Sequence, residues 1–356
     1  MFSLFLALGC AGDPYSSVLP ERSPGDPHAP DTGAQSEPDT GESTPGEPNG
    51  TIYEDCFADF MGTEYPLPDY DAAGARIASH CQGTDHQDIP KDIERVVFIG
   101  DSVTMGSPPA DSTDWYRNRL MVTLAERYGL QEAGWGWQNV DIFAGKPYER
   151  FDGDFGVCAW WGARTDDLLL SNQLPDCLPE EERHKKTLVF ITSGGNDVFK
   201  QVQAKGEGAT DTTIDVAYVQ WVQLMREALE WLNEPGRFPN GVYVVFSNVY
   251  EYSDGTGDLG ACPGADMFGF GGIDTSHIDE LTRQAMGDYL QMAADTQFDM
   301  LLMREAFCGH GYNAGDTKVP CYRGGGAEVW FDNTCIHPNG EGHAAIARMM
   351  LAVLDE

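Results

Sequence analysis

Residues 96–106 read Val96-Val97-Phe98-Ile99-Gly100-Asp101-Ser102-Val103-Thr104-Met105-Gly106. Four consecutive apolar residues stopped by a glycine read as a strand buried on both faces. The pattern recurs at Leu188-Val189-Phe190-Ile191, Val242-Tyr243-Val244-Val245-Phe246 and Met300-Leu301-Leu302-Met303. Between these runs the apolar spacing becomes helical, over 114–127 with Ser112 or Thr113 as its cap, over 216–232 and over 278–294. A last helix spans 344–354. Continuous apolar strands separated by helices imply a sheet covered on both sides. The expected fold class is α/β, a three-layer α/β/α sandwich around a mostly parallel central sheet.

Working outward, the chain before this core changes character. Residues 1–9 form a short apolar run ending in small residues just before Cys10, which has the form of a lipoprotein-type signal with Cys10 as the lipidated residue. An ordinary signal peptide or a frayed N-terminus is the alternative. Residues 11–51 are rich in Pro, Gly, Ser, Thr, Asp and Glu, and such a stretch cannot bury enough apolar surface to offset its ordering entropy. They read as an acidic linker, with one globular domain over 52–356.

The 356 residues carry 57 Asp and Glu against 22 Lys and Arg, a formal net charge of −35. A surface that acidic repels phosphate backbones, so a nucleic-acid partner is not expected. Nine cysteines occur without a CxxC pair or zinc spacing, so no metal is expected. With Cys10 set aside, eight remain, an even number suited to four disulfides in an oxidising compartment. The pairing is not fixed by sequence; sequence neighbours such as Cys56 with Cys81, or Cys321 with Cys335, are the simplest guesses.

In open α/β sheets reactive residues collect at the carboxyl ends of strands. Ser102 stands just past the first strand on a glycine turn. The second strand runs into Ser193-Gly194-Gly195-Asn196-Asp197, and a loop before the last helix reads Asp332-Asn333-Thr334-Cys335-Ile336-His337-Pro338-Asn339. A weaker block, Trp161-Gly162-Ala163-Arg164-Thr165, has the form of a glycine turn before a helix. Taken together and in their order along the chain, the blocks resemble the SGNH (GDSL-type) hydrolase family, over roughly residues 94–354.

The resemblance implies a flavodoxin-like sandwich and ester hydrolysis through an acyl-enzyme, without a cofactor. Ser102 would be the nucleophile and His337 the general base, because a hydroxyl attacks only once a base takes its proton. The oxyanion hole would consist of the backbone N–H groups of Ser102 and Gly162 with the side-chain amide of Asn196. Family members carry Asp three residues before the histidine, where this chain has Thr334. Asp332, five residues before, is the candidate third member; a backbone carbonyl serving a Ser–His dyad, or an acid from elsewhere, are the alternatives. His343 reads as structural.

Residues 250–273 form a long Gly-rich loop on the same side and are expected to supply part of the substrate wall. Trp135, Trp137, Trp160 and Trp161 are candidates for stacking on sugar rings. The expected substrate is a small-molecule, lipid or glycan ester. The expected location is secreted or envelope-bound on a bacterial outer surface or in the periplasm, as a monomer whose membrane association runs through the lipidated N-terminus only. The rival reading is an inactive surface carbohydrate- or lipid-binding module on the same fold. An oxidoreductase is disfavoured, since no Gly-x-Gly-x-x-Gly follows the first strand.

Overall fold

The four apolar runs lie side by side in one sheet. In the computed structural model, which describes residues 50–61, 67–258, 260–264 and 273–356, they fall in β1 (Arg95–Gly100), β6 (Thr187–Thr192), β7 (Val242–Ser247) and β8 (Asp299–Leu301). The six-stranded sheet has the order β4-β5-β1-β6-β7-β8, with β4 (Phe151–Asp152) and β5 (Phe155–Ala159) on the outer side of β1. All neighbours are parallel except β4 with β5. A two-stranded ribbon, β2 (Val140–Asp141) with β3 (Lys146–Pro147), forms a second sheet.

Side-chain alternation along the strands divides the interior into two layers. Val97, Ile99, Val189, Ile191, Val244 and Phe246 join one cluster. Against it pack α1 (Gly50–Phe57), α4 (Gly195–Gly206), α5 (Asp211–Asn233) and α6 (Ser276–Thr296). Val96, Phe98, Leu188, Phe190 and Val245 point the other way, toward α3 (Tyr116–Tyr128) and α7 (Gly340–Leu354). The remaining helix named here, α2 (Ser102–Met105), follows β1 directly. Phe98 and Phe190 stack across β1 and β6 with centroids 5.2 Å apart. Each such side chain removed from water contributes about 1.5–3 kcal/mol, which is why strands apolar on both faces settle in the middle of three layers. The architecture is the expected α/β sandwich.

Several boundaries differ from the sequence reading. The run Met300–Met303 is strand only to Leu301, because it is an edge strand that pairs with three residues of β7; Met303 opens a short helix. Strand β5 was not legible, since Gly156, Cys158 and Ala159 break the apolar run. The helix over 114–127 begins at Tyr116 and takes no side-chain cap from Ser112 or Thr113, which lie in a separate helical turn. Helix α5 begins five residues earlier than its apolar pattern, where Thr210 caps Thr213 N at 3.3 Å.

Four disulfides join Cys56–Cys81, Cys158–Cys177, Cys262–Cys335 and Cys308–Cys321. The guess of Cys56 with Cys81 holds, whereas Cys321 and Cys335 take other partners, because spatial proximity and not sequence distance decides pairing. The grouping of Cys56, Cys81 and His80 has its two sulfurs in that first bridge. The proposed signal segment with Cys10, and residues 11–49 of the linker, lie outside the described residues; α1 starts at Gly50, two residues ahead of the expected domain boundary. No helix among the described residues is long and apolar enough to cross a membrane.

Candidate active site

The carboxyl ends of β1, β5 and β6 bring three of the sequence blocks together. Asp101 caps α2 by accepting from Val103 N at 2.8 Å, which turns the chain at the strand end and leaves Ser102 at the first helical position. The N–H of that position has no acceptor within its helix. Gly100 has φ +142°, and a side chain there would strike the carbonyl of Thr192 on β6. Glycine is therefore required for the serine turn to sit this close to the neighbouring strand.

The loop between β8 and α7 delivers the imidazole. Asp332 N donates to His337 O at 2.9 Å, and Phe331 forms a bridge with Pro338, so residues 332–337 close into a narrow loop. Asn339, at its exit, caps α7 by accepting from Glu341 N and Gly342 N at 3.0 Å each. Its amide also donates to Val329 O and Phe331 O at 2.8 and 3.2 Å. The asparagine of the His-Pro-Asn block is thus a helix cap and loop anchor. Tyr250 OH donates to Ile336 O, and the Cys262–Cys335 bridge holds the loop from its other side.

Within this frame Nε2 of His337 lies 3.0 Å from Oγ of Ser102. The partner of Nδ1 is Oγ1 of Thr334, at 3.0 Å, and Thr334 in turn donates to Oδ1 of Asp332 at 2.5 Å. Asp332 thus reaches the ring through a hydroxyl. Burial pushes His337 down to about 4 and raises Asp332 from its ordinary value, the Thr334 hydrogen bonds opposing the latter. His343 lies elsewhere: its Nδ1 accepts from Tyr116 N at 3.4 Å and its ring stacks on Tyr116.

The Gly162 turn is pinned to the start of α4. Ala163 N closes the turn on Trp160 O at 3.2 Å with Gly162 at φ +78°, a conformation that suits glycine at the third position of a type II turn. Asn196 Nδ2 donates to Ala163 O at 2.8 Å. The carboxylate of Asp197 accepts from Thr165 N and Thr165 Oγ1, both at 3.0 Å. A primary amide has two hydrogens, so the bond to Ala163 O leaves one uncommitted at a side chain that lines the same cavity as Ser102. Asp101 and Asp197 are both pushed up to about 7 by burial, Asp101 also by the charge of Asp197.

A cavity of about 40 Å³ is lined by Ser102, Asn196 and His337 together with Val249, Tyr250 and Tyr252. A larger one, about 710 Å³, is lined by Tyr53, Glu251, Asp279 and Arg304 among others. None of the candidate catalytic residues lines the larger cavity, and its Glu251 and Arg304 are paired at 2.7 Å. We therefore place the candidate site at the smaller. The loop at 250–273 contributes its first residues to that wall, whereas Asp254 is buried and accepts from Gly311 N and Asn313 N at 2.7 and 2.8 Å. Residues 259 and 265–272 lie outside the described residues.

The model of the GDSL-like lipase/acylhydrolase family matches residues 98–345, more than half of the chain and all of the blocks just described. The chain belongs to that family. No curated protein matches it. Three solved structures are similar in fold. A gut microbial diltiazem-metabolizing enzyme has 15% identity, a TM-score of 0.43 and coverage of 75% of this chain and 48% of its own. A lipase from a goat rumen metagenome has 14% identity, a TM-score of 0.44 and coverage of 73% and 96%. A two-domain esterase active on acetylated mannans has 12% identity, a TM-score of 0.37 and coverage of 73% and 49%. The chain thus spans about half the length of the first and third.

Within this GDSL-like hydrolase, the side chains beside the glycine turn divide between support and surface. Trp161 Nε1 donates to Gly106 O at 2.9 Å, and Arg164 pairs with Asp166 at 2.5 Å. Trp137 is fully buried and belongs to the core, so it is not available for stacking on a ligand, whereas Trp135 is 66% exposed and stacks on Tyr148 with centroids 5.0 Å apart. Sequence reading missed Thr334 as a partner of the histidine, since a threonine three residues before it reads only as the absence of the expected aspartate.

Proposed function

We propose that this chain is a serine carboxylic-ester hydrolase that removes short acyl groups, acetyl foremost, from hydroxyls of glycans or related small molecules. The observation that carries the reading is the 3.0 Å contact between Ser102 Oγ and His337 Nε2 at a cavity of about 40 Å³. A cavity this small beside the serine favours a short acyl group over a long chain. The half-exposed Trp160 and Trp161 beside the glycine turn are suited to the sugar side of the ester.

Ser102 Oγ attacks the ester carbonyl while its proton passes to Nε2 of His337. The tetrahedral oxyanion is received by the N–H groups of Ser102 and Gly162 and by the Asn196 amide. The C–O bond to the alcohol breaks as His337 returns that proton to the leaving oxygen. Water then adds to the acyl-serine, giving its proton to His337, and the carboxylic acid departs as Ser102 recovers its hydrogen. Four disulfides support an oxidising, extracytoplasmic location, with a lipid on Cys10 as the proposed anchor.

The test is hydrolysis of p-nitrophenyl acetate, butyrate and palmitate by the full chain and by Ser102→Ala. Turnover is expected on acetate, declining with chain length, and absent in the variant. Turnover that survives Ser102→Ala, or a preference for palmitate, would overturn the reading.

A further inference from the structure

The hydroxyl of Thr334 has all of its hydrogen-bonding capacity engaged, and the bookkeeping of its one hydrogen decides what it does. Its oxygen is 2.5 Å from Oδ1 of Asp332, 3.0 Å from Nδ1 of His337 and 3.3 Å from the backbone N of His337. Oδ1 of Asp332 also accepts from Thr334 N at 2.7 Å. A hydroxyl has one hydrogen and two lone pairs, while an ionised carboxylate only accepts. The hydrogen therefore goes to Asp332, and both lone pairs face nitrogen. One receives the backbone N–H of His337. The other can only accept, so Nδ1 must carry the ring's hydrogen and Nε2 is left with the lone pair facing Ser102.

We propose that Thr334 is a positioning residue that relays the charge of Asp332 to His337, fixing the tautomer that accepts the Ser102 proton and stabilising the imidazolium that follows. This rests on the reading of Ser102 and His337 as nucleophile and base. The loop explains why a relay is needed. Asp332 N pairs with His337 O, so the two residues face each other at the loop's base and Thr334 lies between them in the turn. Cys335, at φ +70° and bridged to Cys262, completes the turn that presents the Thr334 hydroxyl to both. The second oxygen of Asp332, Oδ2, is buried without a hydrogen-bond partner among the described residues. Both contacts of the carboxylate thus run through Oδ1 and Thr334. A threonine where the family resemblance leads one to expect an acid is then a displaced connection, not a lost one.

Thr334→Val removes the hydroxyl while keeping the side chain's shape, and Thr334→Ser restores the hydroxyl. The full chain carrying each, Asp332→Asn, and the Thr334→Val/Asp332→Asn double variant would be assayed on p-nitrophenyl acetate, with 15N shifts of the His337 ring read in parallel. Serine is expected to stay near wild type. Valine is expected to lower kcat about 10–100-fold with KM little changed, as loss of groups that orient a histidine does, and to give mixed ring tautomers. The double variant should lose no more than the worse single one, because the two residues act as one unit. Full kcat in Thr334→Val, losses that multiply, or a wild-type ring without hydrogen on Nδ1 would each overturn the relay. The ring shifts need no substrate, so they judge the relay even where Ser102→Ala shows the ester reading itself to be wrong.

Discussion

The side-chain amide of Asn196 donates to the carbonyl of Ala163 at 2.8 Å, joining the start of α4 to the Gly162 turn after β5. One side chain thus braces the turn, and its second amide hydrogen is the one the proposed mechanism assigns to the oxyanion. Asn196→Ala is expected to lower kcat about 10²–10³-fold, the usual loss for one such donor. Steady-state kinetics checks it, with near-ultraviolet circular dichroism to establish that the fold persists. A variant with wild-type kcat contradicts the role.

His337 is held down to about 4 by desolvation, well below the ordinary value near 6.5. The neutral base therefore persists into acid, and kcat/KM should stay near its plateau down to about pH 5 and fall below it. A pH–rate profile on an acetyl ester reads this directly. An acid limb centred near 6.5 would show that the ring is solvated in the working enzyme.

Asp101 is pushed up to about 7 by burial, whereas an unfolded aspartate titrates near 3.9. The folded state holds the proton between these values, so the carboxyl disfavours folding increasingly as pH rises from about 4 to 7. Asp101→Asn can still cap α2 and should stabilise the protein by roughly 2–4 kcal/mol at pH 8 and by little at pH 4. Thermal unfolding at the two pH values tests the sign. An equal shift at both would remove the titration argument.

The Cys262–Cys335 bridge holds the loop that carries His337, while Cys56–Cys81 joins segments of the amino-terminal part. Replacing either pair by serines should cost about 2–5 kcal/mol of stability. Only the Cys262→Ser/Cys335→Ser variant should also lose kcat. Comparing Tm and kcat for the two double variants separates the roles, and equal effects on kcat would argue against a loop-holding function.

The layers were legible where burial leaves a mark on consecutive residues. Val96–Ile99 and Leu188–Ile191 announce strands because both faces of a central strand are dry. Phe155–Ala159 is just as buried, yet small residues there satisfy the same space without an aliphatic run, and the strand went unread. Ser102, Asn196 and His337 were legible because each stands in a short block whose order along the chain matches a family pattern.

Sequence alone determined the α/β layering, the family, and the residues that carry the proposed chemistry, since these depend on hydrophobic period and on residue identity at short spacing. Tertiary structure alone decided which cysteines pair, how small the cavity beside Ser102 is, and that Asp332 reaches His337 through the hydroxyl of Thr334. The physical reason is range. Periodicity and motif spacing are local, whereas a hydrogen bond or a cavity wall is set to within a few tenths of an ångström by segments far apart in the chain, here β1, β6, the residues after β7 and the loop before α7.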